Sequence, residues 1–219
     1  MTKEPKISAP KKPRSWKQDP EAVKADILAA AKVEFAKHGL SGARVQDIAD
    51  QIQTSKRMIF YYFGDKEGLY RAVLEEVYGS VRQAERDLNL DGFPPMEALR
   101  KLVEFTFDHH ANNRDFIRLV MIENIHHGKH MMDVESLMIT NTAAITQIER
   151  ICDAGVKEGV MRTGLSPLMI HWQISAMSFF NVANQSTFSY NFGNDLFDEA
   201  GQAALREQVV QSILASVAA

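Results

Sequence analysis

Lys56 and Arg57 stand just ahead of an aromatic block, Phe60-Tyr61-Tyr62-Phe63, which Gly64 separates from Asp65-Lys66. At helical spacing the cations fall on the first turn and the phenols on the last, while Ile59 and Phe63, four apart, share the opposite side. Arg57 and Lys56 can reach guanine edges or phosphates in a major groove, and Met58 can touch a thymine methyl. Tyr61 and Tyr62 can donate to phosphate oxygens, which fixes a helix on the backbone without reading sequence. Lys66 and the free amides of a new helix start favour an anion. This is chemistry for duplex DNA. A second group, Glu123, His126, His127 and His130, has residues one helical turn apart, the spacing of metal ligands. Gly128 ends that helix and no catalytic base accompanies the group. The expectation is therefore no metal and no catalytic residue, with exposed histidines serving the helix end.

Those residues need elements to hold them. Val23, Ile27, Ala30-Ala31, Glu34-Phe35 and His38 recur at spacings of three and four until Gly39, a natural helix stop. A short helix follows over about 44–52, with Val45, Ile48, Ala49 and Ile52 on one face. Ser55 is a good N-cap for the helix carrying Lys56 and Arg57. Two short helices joined by a tight turn form a helix-turn-helix. Asp65 caps a long helix to about 88, and "NLDGFPP" (89–95) breaks it. Further helices are expected over 95–111, 114–127, 133–159 and 166–191, with a last one carrying Leu205, Val209 and Ile213. The apolar run 116–122 predicts a helix buried on all sides. No strand pattern or repeat appears, so the expected fold is all-α.

Charge is divided along the chain. The net is −3, yet residues 1–71 hold 14 Lys and Arg against 9 Asp and Glu, and the rest of the chain is acidic. A basic end on an acidic body fits one end meeting a polyanion. Residues 1–20 carry four prolines and six cations, too polar to bury a core, and residues 1–19 are expected to form a mobile basic arm. Cys152 is the one cysteine, so no intrachain disulfide can form. No apolar run reaches the ~20 residues that span a bilayer, and no signal-peptide pattern is present. The expected setting is cytoplasmic.

The stretch "RVQDIADQIQTSKRMIFYYFGDKEGLYRAVLEEV" resembles the DNA-binding segment of TetR-family transcriptional regulators, over about residues 22–75. Ile48-Ala49, Ser55, the block from Ile59 to Phe63, and Gly64, Lys66, Glu67, Gly68 and Leu69 stand at that family's spacing. The resemblance implies DNA contacts from Arg44, Ser55, Lys56, Arg57, Met58, Phe60, Tyr61, Tyr62 and Lys66. It departs at three places. The usual Ala-Gly-Val turn is Ile52-Gln53-Thr54, Phe60 replaces a tyrosine, and Arg44 replaces a phosphate-contacting threonine. The domains expected are the arm over 1–19, the helix-turn-helix over 20–64, and an effector-binding and dimerisation domain over 65–219.

About 150 residues are more than one recognition helix requires. The resemblance implies a homodimer that senses a small molecule, with no cofactor and no membrane partner. One such helix reads few base pairs, so two half-sites about 34–36 Å apart are the usual solution. The last two helices are candidates for a four-helix interface through Ser175, Ser178, Phe179, Ala183, Leu205, Val209 and Ile213. Met and aromatic side chains of the middle helices suit an adaptable apolar pocket. The candidates are Phe105, Met121, Met138, Gln173, Met177 and Phe180, with Phe107, Trp172 and Phe179 on the same helices. The C-terminal half is similar to the branch containing the uracil-sensing regulator, where a Trp and a Gln four apart hold the pyrimidine. Gln173 and Met177 occupy those places here, which points to a less polar ligand. The expected function is a ligand-responsive repressor occupying a palindromic operator. Two alternatives stay open: a helical metal-dependent hydrolase using Glu123, His126, His127 and His130, and a protein-interaction module with a vestigial helix-turn-helix.

Overall fold

Asp19 and Pro20 start the first helix by local chemistry. The Asp19 carboxylate accepts the Ala22 N–H at 3.0 Å, and Pro20 sits where a missing N–H costs nothing. A computed structural model describes residues 19–132 and 134–219, without the side chains of residues 135 and 138–141. Residues 1–18 of the expected arm lie outside the described residues. The described fold is all-α, and its one strand-like feature is an isolated antiparallel bridge between Met161 and Ala218.

The chain divides into two compact units, one ending at Tyr70 and the other beginning at Arg71. The first unit holds α1 (Pro20–Gly42), α2 (Val45–Gln51), α3 (Lys56–Phe63) and the first turns of α4 (Lys66–Asp87). Helix α1 does break at Gly39, whose φ of 66° is open to glycine, but helical turns resume as far as Gly42. Ile27, Phe35, Ile48, Ile59 and Leu69 are buried, and Tyr70 meets Phe35 edge-on with ring centres 5.0 Å apart. Each such fully buried side chain contributes about 1.5–3 kcal/mol.

The second unit holds the rest of α4, a short turn at Leu90–Gly92, α5 (Pro95–Asn112), α6 (Arg114–Ile125), α7 (Glu135–Lys157), α8 (Pro167–Ala183), α9 (Gln185–Phe192) and α10 (Glu199–Val217). Helix α5 packs on α7, α8 and α10, and α8 also contacts α6 and α7. Their core includes Leu99, Val103, Ile148, Ile174, Val210 and Val217. Three expectations need correcting. Residues 166–191 form two helices, because the backbone leaves helical geometry at Asn184 (φ −104°, ψ 3°) with no Gly or Pro to announce it. Helix α6 is not buried all round: Phe116, Ile117 and Leu119 are, but Met121 is exposed and Ile125 is 70% exposed. Ser178, Val209 and Ile213 are internal to this unit, so they are core and not an outer face.

Candidate functional site

Helix α3 begins where Gln53 takes a left-handed conformation, φ 56°, between Ile52 and Thr54. A non-glycine there costs about 1–2 kcal/mol, and the turn is held by the Thr54 N–H donating to the Ala49 carbonyl at 2.9 Å. Ser55 then caps α3: its hydroxyl accepts the Met58 N–H at 3.2 Å. Ile59 is fully buried and anchors the helix to its unit. That fixes what remains outside. Lys56, Arg57, Phe60 and Tyr61 are exposed, Tyr61 to 73%, whereas Met58, Tyr62 and Phe63 are half-buried. The Tyr61 and Tyr62 rings meet edge-on at 5.3 Å. No acidic side chain among the described residues pairs with Arg44, Lys56 or Arg57. Arg44 is the exposed N-cap of α2, its amide held by Glu34 at 3.1 Å. Helix α3 ends at Gly64 (φ 78°), and Asp65 caps α4 by accepting the Gly68 N–H at 2.7 Å. Lys66 is half-buried and donates to the Ser41 carbonyl at 3.3 Å. The face is thus a row of unpaired cations and aromatic side chains, fit to lie against an anionic backbone and its bases.

The second unit contains a cavity of about 680 Å³, a size suited to a small organic ligand. Its apolar wall includes Phe105, Phe116, Ile145, Trp172 and Phe179. Its charged and imidazole groups come from three helices, Arg82 and Glu85 from α4, His109 and His110 from α5, and His171 from α8, with Tyr78, Thr106, Asn124, Thr142 and Ser175 also lining it. Arg82 Nη1 donates to both oxygens of Glu85, while no partner meets Arg82 Nε or His109 Nδ1. His110 Nδ1–H donates to the Thr106 carbonyl at 2.8 Å, so its Nε2 carries the lone pair of the neutral ring. Burial first, then the charge of His109 and those of Arg82 and His171, push His110 down to about 4 against the Thr106 bond. Burial and Arg82 do the same to His171, also to about 4, and lower His109. Burial is likewise the main cause that pushes Tyr78 up to about 12. The cavity joins an aromatic wall to a cluster of charged and imidazole groups.

Of the six residues expected to line a pocket, Phe105 does line this cavity. Gln173, Met177 and Phe180 line a different feature, a groove of about 540 Å³ between α8, α9 and α10. Met121 lies on the exposed side of α6, and the Met138 side chain is outside the described residues. The histidine-rich turn also differs from expectation. His130 is buried, not exposed, and its Nδ1 lies 3.0 Å from the buried Glu123 carboxylate, which also accepts the His130 N–H. His126 and His127 are exposed. Among the described residues no group of three His, Cys, Asp or Glu side chains is arranged to hold a metal. Sequence reasoning missed Arg82, His109, His110 and His171, whose types and helical spacing carry no local signal that another helix covers them.

Comparison with known proteins follows the same division. Residues 27–73 match the family of bacterial regulatory proteins named for tetR, and residues 95–213 match the tetracyclin repressor-like C-terminal domain. The chain is 33% identical over 186 residues to the HTH-type transcriptional repressor NicS of Pseudomonas putida, spanning 85% of this chain and 88% of that one. It is 30% identical over 112 residues to the HTH-type transcriptional regulator RutR of Escherichia coli, about half of each chain (51% and 52%). Among solved structures, the transcriptional regulator SCO4942 from Streptomyces coelicolor superposes with a TM-score of 0.66 at 25% identity, over 89% of this chain and 97% of that one. No helix among the described residues is long and apolar enough to cross a membrane.

Proposed function

Since this chain belongs to the TetR family of transcriptional regulators, we propose that it is a ligand-responsive repressor that occupies a palindromic operator as a homodimer. The observation that carries this reading is α3 itself. One side is sunk through Ile59, and the other offers Lys56, Arg57 and Tyr61 with no acidic residue in the helix to neutralise them. Arg57 and Lys56 would read or grip the major groove, with Tyr61, Tyr62, Arg44 and Lys66 on the phosphates. For Lys66 this means giving up its bond to the Ser41 carbonyl.

The cavity supports a small-molecule effector, and its wall includes α4, the helix on which Lys66 also lies. Ligand binding would shift α4 and with it the spacing of the two recognition helices in the dimer. It can do so only by binding the released state more tightly than the DNA-bound one. We read the protein as a binder and not an enzyme. The Glu85 carboxylate is tied to Arg82 and that of Glu123 to His130, so neither is poised as a general base.

The test is fluorescence anisotropy with a duplex from the gene's own upstream region and a scrambled control, at two salt concentrations. Wild type should prefer its own duplex by about 10³ or more. Arg57→Ala should lose about 1–3 kcal/mol of binding together with most of that preference. Equal affinity for both duplexes, in wild type and variant alike, would remove the reading of α3 and leave the protein-interaction module.

A further inference from the structure

The polar groups of the 680 Å³ cavity work as one cluster. The charge of Arg82 acts on His109, His110 and His171 alike, and in each case it opposes protonation. Glu85 is bound to Arg82. Both of its oxygens accept from Nη1, which leaves Nε of the same guanidinium without an acceptor. His109 Nδ1 is also buried and unmatched. The guanidinium Nε–H is a donor in any state, and an unmatched buried donor costs about 1–3 kcal/mol, so a ligand that supplies an acceptor there recovers energy that an apolar ligand leaves lost. Facing them is an aromatic wall that includes Phe105, Phe116, Phe179 and Trp172.

We propose that this cavity binds a small organic acid with a flat apolar body, its carboxylate on the free edge of Arg82 and among the imidazoles of His109 and His171. The assignment rests on reading the second unit as the effector-binding half of the regulator. A carboxylate can take two parallel N–H donors from one guanidinium edge, and such charge-assisted bonds are about twice as strong as neutral ones. An amine would meet the Arg82 charge with no free carboxylate to receive it. A neutral amide offers one acceptor but no charge. The ring or chain of the acid would replace water along the aromatic wall. This differs from the purely less polar ligand that Gln173 and Met177 suggest, because Arg82 enters from α4, outside the C-terminal half.

The experiment is isothermal titration of the full chain with matched acid, amide and amine forms of three bodies: benzene, naphthalene and biphenyl. For the body that fits, the acid should bind about 10-fold or more tightly than its amide, and the amine should give no heat. Arg82→Gln strands the buried Glu85 charge, so the double variant Arg82→Gln/Glu85→Gln is titrated beside it. In the double variant acid and amide should bind equally. The proposal is overturned if amide matches acid in wild type, if the amine binds best, if the double variant keeps the preference, or if no probe of any size binds. Anisotropy on the upstream duplex with the same samples separates the two readings. Specific DNA binding without acid binding sinks the ligand class alone, and acid binding without specific DNA binding sinks the regulator.

Discussion

His110 and His171 are ordinary residues placed where they cannot hold a proton. Each is pushed to about 4 with burial as the first cause, whereas an unfolded chain protonates them near 6.5. Between those values the unfolded state binds more protons than the folded one. Stability therefore rises with pH through that window and falls as pH drops below about 6.5. The expected loss from pH 7 to pH 5 is on the order of a few kcal/mol for the pair. Urea denaturation at the two pH values measures it, and His110→Gln should flatten the difference by roughly half. An unchanged pH response in that variant would mean that His110 is not the proton-excluding group. Neither histidine could be singled out from the sequence. A histidine on a helix reads the same whether its neighbours are water or Phe116, and only tertiary packing stacks the His110 ring on that phenylalanine at 5.9 Å.

Gly68 shows what an element demands of one residue. The corner between α3 and α4 is so tight that a Cβ on Gly68 would press into the Phe63 carbonyl, which is backbone and has nowhere to go. Gly68→Ala should therefore cost about 1–3 kcal/mol or more, read as a lower thermal midpoint and weaker operator binding. Gly79→Ala, on the same helix with open space around its Cβ, is the control and should be neutral or slightly stabilising. A Gly68→Ala protein as stable as the control would show that the corner relaxes. This element was legible because its signals are local: Ser55 and Asp65 as caps, Gly64 as a stop, and Ile59 at the spacing that buries it. The α8–α9 break was not, since Asn184 is no breaker by type and neither Gly nor Pro marks the place. The cavity was least legible of all. Arg82 and the histidines come from α4, α5 and α8, and charged residues at helical spacing read as a solvated face until another helix covers them.

At the scale of the molecule, one surface is left with too much apolar area for a lone chain. Phe180 is 52% exposed, Tyr190 91% and Phe192 74%. Phe188 ties this face together, meeting Phe180 at 6.1 Å, Phe192 at 4.7 Å and Phe197 at 5.9 Å. A contiguous aromatic surface of this kind is an association site more often than a monomer's ordinary surface. The proposed homodimer would cover it with α8 and α10 of a second copy, packed as a four-helix interface. Phe180→Asp places a charge in the middle of that face. A central aromatic anchor is worth about 2 kcal/mol or more, so the dimer dissociation constant should rise by a factor of roughly 30 or more, toward monomer. Sedimentation equilibrium would read the shift, with circular dichroism to show that the helices persist. Operator affinity should fall further, by about 10²–10⁴, because two recognition helices on one chain pair reinforce each other and two free ones do not. The same variant separates two roles for Phe180. If it held the effector instead, titration with the acid probes would weaken while the sedimentation profile stayed that of wild type.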